Sequence, residues 1–279
     1  MGTFIGKVLL IILGVPSLLF SQTQSTTTYG NKNAVIDSLL THYGLAETVN
    51  QIPNTLAGQF EQNPIGIDET LNQMIVDAFD DSFHTDSLYQ TVSASINQRY
   101  EQSFAEGVLQ NFQQTSIRSV LETRREFNTL QGYRKQVVGM YEMEQNPPSE
   151  IRMMLVESLR DTKNVTGYVT DSYGIIFRSF LQSIDTLSLR QNFTEGQMNA
   201  FVDNYKNQIR SEIDNSVIDD YLVTFHDIPK DTLNTYIAFW ESEAGQWFNK
   251  SYHEGLLTAY QKAADGFIHK VTQQARSSR

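Results

Sequence analysis

Phe127-Asn128-Thr129-Leu130-Gln131-Gly132 and Trp240-Glu241-Ser242-Glu243-Ala244-Gly245 spell one pattern: an aromatic residue, a hydroxyl residue two places on, and a glycine three further. Each copy follows a run of apolar residues at helical spacing. A Ser or Thr here can end one helix and cap the next by accepting a backbone N–H. A glycine in the first turn leaves room for another helix to approach closely. The aromatic residue is expected to anchor the corner in the core. Read this way, Phe127, Thr129, Gly132, Trp240, Ser242 and Gly245 form a structural motif, a corner between helices, that occurs twice.

Working outward, apolar residues recur every three to four positions, and few segments alternate with the period of two that strands require. Val35, Ile36, Leu39, Leu40 and Tyr43 make one stripe. Thr85 reads as the N-cap of a long helix buried through Leu88, Val92, Ile96, Tyr100, Phe104, Val108 and Phe112. Ile117, Val120, Leu121 and Phe127 follow, then Tyr133, Val137, Met140 and Tyr141. After Asn146-Pro147-Pro148-Ser149, a helix breaker and a cap, the order of elements repeats. Ile151, Met154, Leu155 and Leu159 open the second half, and Thr194 with Gln197 has the spacing of a capping box. A last stripe runs from Ala244 through Phe248, Leu256, Tyr260, Phe267 and Val271. Phe112 and Phe225, Phe127 and Trp240, and Gly132 and Gly245 share one offset, as a duplication with small loop insertions would give.

The fold expected is therefore all-α, two tandem related helical bundles. Its divisions are a signal peptide at 1–21, a disordered leader at 22–33, one helical repeat at 34–145, a linker at 146–149, a second repeat at 150–272 and a flexible tail at 273–279. The leader assignment rests on Lys7, the apolar run Val8 to Phe20 and the polar Ser21-Gln22-Thr23-Gln24 that follows. The run is short and broken by Gly14 and Pro16, so no stable membrane span is expected after cleavage; an uncleaved anchor is the alternative. Export to the periplasm or the cell exterior follows.

Leu233 through Trp240-Glu-Ser242-Glu-Ala-Gly245-Gln-Trp247-Phe248 resembles the signature of the exported bacterial "domain of unknown function 2059" family, in which an aromatic, a Ser and a Gly-Gln open the last helix of a small helical domain. The resemblance covers about residues 150 to 270 best. The first half is a looser copy, with Tyr133 where the second half has Gln246. It implies a helical, exported protein and carries no agreed activity.

Composition narrows the function classes. With 21 Lys and Arg against 32 Asp and Glu, the net charge is −11, so nucleic-acid binding lacks its electrostatic driver. There is no cysteine, which excludes disulfides, thiol catalysis and Cys-ligated zinc. The five histidines include no pair at helical i, i+4 spacing. The most metal-like grouping is His226 and Asp227 with Asp219 or Asp220 a turn or two earlier; solvated helix surface is the competing reading. His253 and Glu254 are neighbours that point apart. Asp77, Asp80 and Asp81 lack the glycine and spacing of a calcium loop. Ser172, Ser242 and Ser251 lie in no nucleophile elbow. No residue is thus assigned a catalytic, cofactor-binding or metal role, and no cofactor is expected. The function expected is a non-enzymatic module that binds an unknown protein or cell-envelope ligand. The alternative is an envelope hydrolase or metal-dependent enzyme with a site between the repeats, built from His226, Asp227 or His253. A carrier of an apolar ligand ranks third.

Overall fold

A computed structural model describes residues 31–62, 69–187 and 193–277. The expected signal peptide and most of the expected leader lie outside them. Every regular element among the described residues is an α-helix: α1 Asn31–Tyr43, α2 Leu45–Thr48, α3 Gln51–Gln62, α4 Glu69–Asp80, α5 Thr85–Gln98, α6 Gln102–Gln113, α7 Thr115–Phe127, α8 Leu130–Gln145, α9 Glu150–Thr162, α10 Val165–Leu187, α11 Glu195–Thr224, α12 Lys230–Glu241 and α13 Glu243–Ser277. The all-α class is as the apolar period predicts.

α13 is the central element. Its stripe Phe248, Tyr252, Leu256, Tyr260, Ala263, Phe267 and Val271 is buried along its length. It packs on α10 and α12 from its own side of the double proline and on α4, α5 and α6 from the other. One continuous hydrophobic core therefore runs through both halves, from Ile36 and Leu40 to Phe267 and Val271.

Two corners repeat the same cap. Thr129 Oγ1 accepts from Gly132 N and Ser242 Oγ from Gly245 N, each at 3.1 Å. The glycines are required by the helix just ended, not by a distant one. A Cβ on Gly132 would lie 2.4 Å from the Glu126 carbonyl oxygen, and one on Gly245 would lie 2.1 Å from that of Phe239. Trp240 is fully buried. Phe127 is only half-buried, beneath the Lys135 ammonium 5.9 Å from its ring, so it does not anchor a core.

Several expectations need correction. The long helix from Thr85 is two, interrupted at residues 99–101, where the indole of Trp247 donates to the Arg99 carbonyl at 3.1 Å. Thr85 is not the cap: His84 holds that place, and Thr85 Oγ1 instead accepts from Asn50. α1 already begins at Asn31, pinned by Lys32 Nζ to the Asn97 carbonyl and by Asn97 to Asn33, so residues 31–33 are not a disordered leader. Residues 273–277 extend α13 rather than forming a flexible tail.

The apolar stripes of α8 and α9 are misplaced in part as well. Val137, Met140, Tyr141, Ile151 and Met154 are all exposed. α8 instead turns Gly132, Gln136, Gly139 and Met143 inward, a face at 4-3-4 spacing. Gly139 meets Val223, whose Cγ1 would stand 2.6 Å from an added Cβ. On α9 Leu159 is buried and Leu155 packs on the core as expected, and Val156 is buried beside them. Among the described residues no helix is long and apolar enough to cross a membrane.

Candidate functional site

Where α1, α7, α10, α11 and α13 converge, a cavity of about 250 Å³ opens beside Tyr43, Arg124, Lys163, Asp220 and His253. Tyr43 ends α1 and sits in an aromatic nest. Its ring centroid is 6.3 Å from Phe112, 5.7 Å from Trp240, 5.3 Å from Phe248 and 4.7 Å from Tyr252. Such pairs add roughly 0.5–1.5 kcal/mol each beyond their burial, so this ring is held in place.

Two cations flank it. Lys163 closes α9 at a tight turn where Asn164 takes a left-handed φ of 48°, a conformation Asn tolerates better than most residues. Asn249 Nδ2 donates to the Lys163 carbonyl at 3.2 Å. The turn thus sends the Lys163 side chain inward, 2% exposed, where Nζ donates to Tyr43 OH at 2.7 Å and lies 4.3 Å from the Trp240 ring centre. Arg124 comes from the last turn of α7, with its guanidinium carbon 4.7 Å from the Tyr43 ring centre. Its stem is partly exposed, but Nη1 is buried with no hydrogen-bond partner. Neither cation forms an ion pair with a carboxylate of the described residues. Asp220, the one carboxylate lining the cavity, accepts from Gln136 on α8.

These contacts set the protonation states. Burial pushes the Tyr43 phenol up, but the charges of Arg124 and Lys163 and their hydrogen bonds outweigh it and bring it down to about 8. Burial and then the Arg124 charge draw Lys163 down to about 8, against the pull of Tyr43. Because the two share a hydrogen bond, they titrate as a pair. Burial, helped by both cations, lowers His253 to about 3, so its imidazole is neutral near pH 7. That ring stacks flat on Tyr168, 4.3 Å apart and 2° from parallel. Burial raises Asp220 despite Arg124 and Gln136.

A larger hollow of about 630 Å³ lies between α5 and α13. Its charged residues are either paired, Arg99 with Glu254 at 2.9 Å and Lys270 with Asp81 at 3.3 Å, or exposed to solvent, as Lys262 is. Unpaired buried charge is concentrated in the smaller cavity, and the chemistry follows the charge.

The residues singled out from sequence are scattered. His226 pairs with Asp227 at 2.9 Å on the open surface, while Asp220 turns into the cavity, so these three do not converge. No group of three or more His, Asp or Glu able to hold a metal occurs among the described residues. Ser172 Oγ donates to the Tyr168 carbonyl, and Ser242 is the helix cap. Of these residues, Asp220 and His253 reach the cavity. Arg124 and Lys163 escaped notice, yet a signal existed: each continues an apolar stripe, Arg124 after Val120 and Leu121, Lys163 after Val156 and Leu159. Comparison with known proteins finds no matching family model, no similar curated protein and no similar solved structure.

Proposed function

We propose that this chain is an exported, non-enzymatic binding module that takes a small cell-envelope ligand into the cleft beside Tyr43. The observation that carries this reading is Arg124, which lines the cavity and whose buried Nη1 has no hydrogen-bond partner. Buried donors are almost always satisfied, and one left open marks a place for something else to bind. The cavity also brings convergent polar and charged groups together with aromatic and apolar residues, as small-ligand sites do. The leader sequence supports export. The repeated corner and the shared 113-residue offset of Phe127 with Trp240 and Gly132 with Gly245 support descent from a duplicated helix assembly, related to the "domain of unknown function 2059" family.

Native mass spectrometry of protein purified from its own envelope tests the reading. A stoichiometric small molecule that leaves on unfolding is expected; wild-type protein that stays ligand-free in repeated native preparations contradicts it.

A second reading, an envelope enzyme, draws on the Tyr43 and Lys163 pair, since a phenol lowered to about 8 can exchange a proton near neutrality. His253 suits it less well. Its ring lies flat on Tyr168, and no hydroxyl of the described residues bonds to its nitrogens. Turnover in a broad hydrolase screen, lost in Tyr43→Phe or His253→Ala, would establish the enzyme instead.

A further inference from the structure

The chain as a whole carries −11, yet the groups lining this cleft sum to the opposite sign. Arg124 and Lys163 are positive, Asp220 is the one carboxylate, and His253 is neutral. Two buried like charges facing one carboxylate leave an excess of positive charge that is costly to bury. Only part is offset inside the fold. Lys163 uses one of its three donors on Tyr43 and faces the Trp240 ring, while Asp220 is engaged by Gln136. The Arg124 fork keeps a buried, unbonded Nη1.

We propose that the cleft captures a small oxyanion, the carboxylate or phosphate group of a compact organic ligand, between the Arg124 guanidinium and the Lys163 ammonium. This rests on reading the cleft as a ligand site and adds the ligand's charge and size. Guanidinium is suited to such groups because its planar fork matches two oxygens at once. Asp220 repels an anion, but its hydrogen bond from Gln136 keeps it occupied on the α8 side. Besides polar residues such as Thr48 and Asn128, the remaining wall includes the apolar Ile52, Val165, Val169 and Leu256. They fit a short hydrocarbon or ring attached to the anionic head. The volume fits as well: a cavity of ~150 Å³ holds benzene, and this one measures about 250 Å³.

The test is calorimetric titration of the full chain with three ligands of one shape: benzoate, phenyl phosphate and neutral benzamide. We expect saturable one-site binding of benzoate or phenyl phosphate at least about tenfold tighter than benzamide, the preference a charge-assisted contact supplies. The stronger of the two anions identifies the head group. Arg124→Gln and Lys163→Met, with unchanged circular dichroism, should each reduce that preference to near unity. Should either variant unfold, the isostere comparison on the wild-type chain decides alone. Benzamide binding as tightly as the anions overturns the oxyanion while leaving a ligand site standing. A native ligand that is neutral by mass spectrometry does the same. If none of the three binds and no native ligand is found, both readings fall together.

Discussion

Lys163 Nζ donates a 2.7 Å hydrogen bond to the phenolic oxygen of Tyr43 across 120 residues of chain. The bond joins the turn between α9 and α10 to the end of α1, so it links the two sides of the double proline at the place where the cavity opens. Both groups are buried: the neighbouring cations favour the Tyr43 phenolate, while burial favours neutral Lys163.

That coupling has a spectroscopic consequence. One phenol should ionise near pH 8, where Arg124 and Lys163 stabilise its anion, while burial holds Tyr168, Tyr221, Tyr252 and Tyr260 above the ordinary range. The ultraviolet absorbance of phenolate, followed against pH, should show an early step worth one tyrosine. Tyr43→Phe should abolish it. An unchanged early step in that variant would assign it to another residue.

His253 makes the fold sensitive to acid. Its folded pKa is depressed from 6.5 to about 3, chiefly by burial. The stability this gives is complete above pH 6.5 and is lost as pH falls toward 3, because the unfolded chain then binds a proton that the folded chain refuses. Asp220 and Asp219, raised by burial, act in the opposite direction. Comparison with His253→Gln isolates the histidine: the wild-type melting temperature should fall more steeply between those limits than the variant's. Parallel curves would show that the imidazole is not buried.

Gly245 and Gly196 should respond oppositely to alanine. At Gly245 the new methyl would stand 2.1 Å from the Phe239 carbonyl oxygen, a backbone atom, whereas at Gly196 nothing lies within 4 Å. Gly245→Ala should cost about 1–3 kcal/mol through overpacking. Gly196→Ala should be neutral or gain up to about 1 kcal/mol from helix propensity. Denaturant midpoints measure both, and a tolerated Gly245→Ala would mean the corner is looser than its geometry.

The two aromatic residues of the repeated corner should also differ. Trp240 is wholly buried, so Trp240→Ala is expected to cost about 3–5 kcal/mol. Phe127 is half-buried, and its truncation should cost roughly 1 kcal/mol. Equal losses would place Phe127 in the core after all.

The contrast between those residues shows what a sequence conveys here. Caps are local, so Thr129, Ser242 and the box of Thr194 with Gln197 are readable from spacing alone. Long stripes are readable too, as on α13. The inward face of α8 is not, because Gly132, Gln136 and Gly139 carry no apolar signal, while the exposed Val137 and Val138 do. The indole that meets the chain at the break near Arg99 belongs to Trp247, 148 residues away. The cleft is the least legible part. Its cations look like surface residues until their place on apolar stripes is noticed, and their convergence on Tyr43 is a tertiary fact.

The affinity of the wild-type chain for benzoate as a function of pH tests the central claim most directly. The titratable groups lining the cleft are Tyr43 from α1, Arg124 from α7, Lys163 after α9, Tyr168 from α10, Asp220 and Tyr221 from α11, and Tyr252, His253 and Tyr260 from α13. Of these, Tyr43 and Lys163 change charge at about 8, together losing positive charge as pH rises. Affinity should be high at neutral pH and fall as pH passes through about 8; an affinity that is flat across that range would contradict an oxyanion held by Arg124 and Lys163.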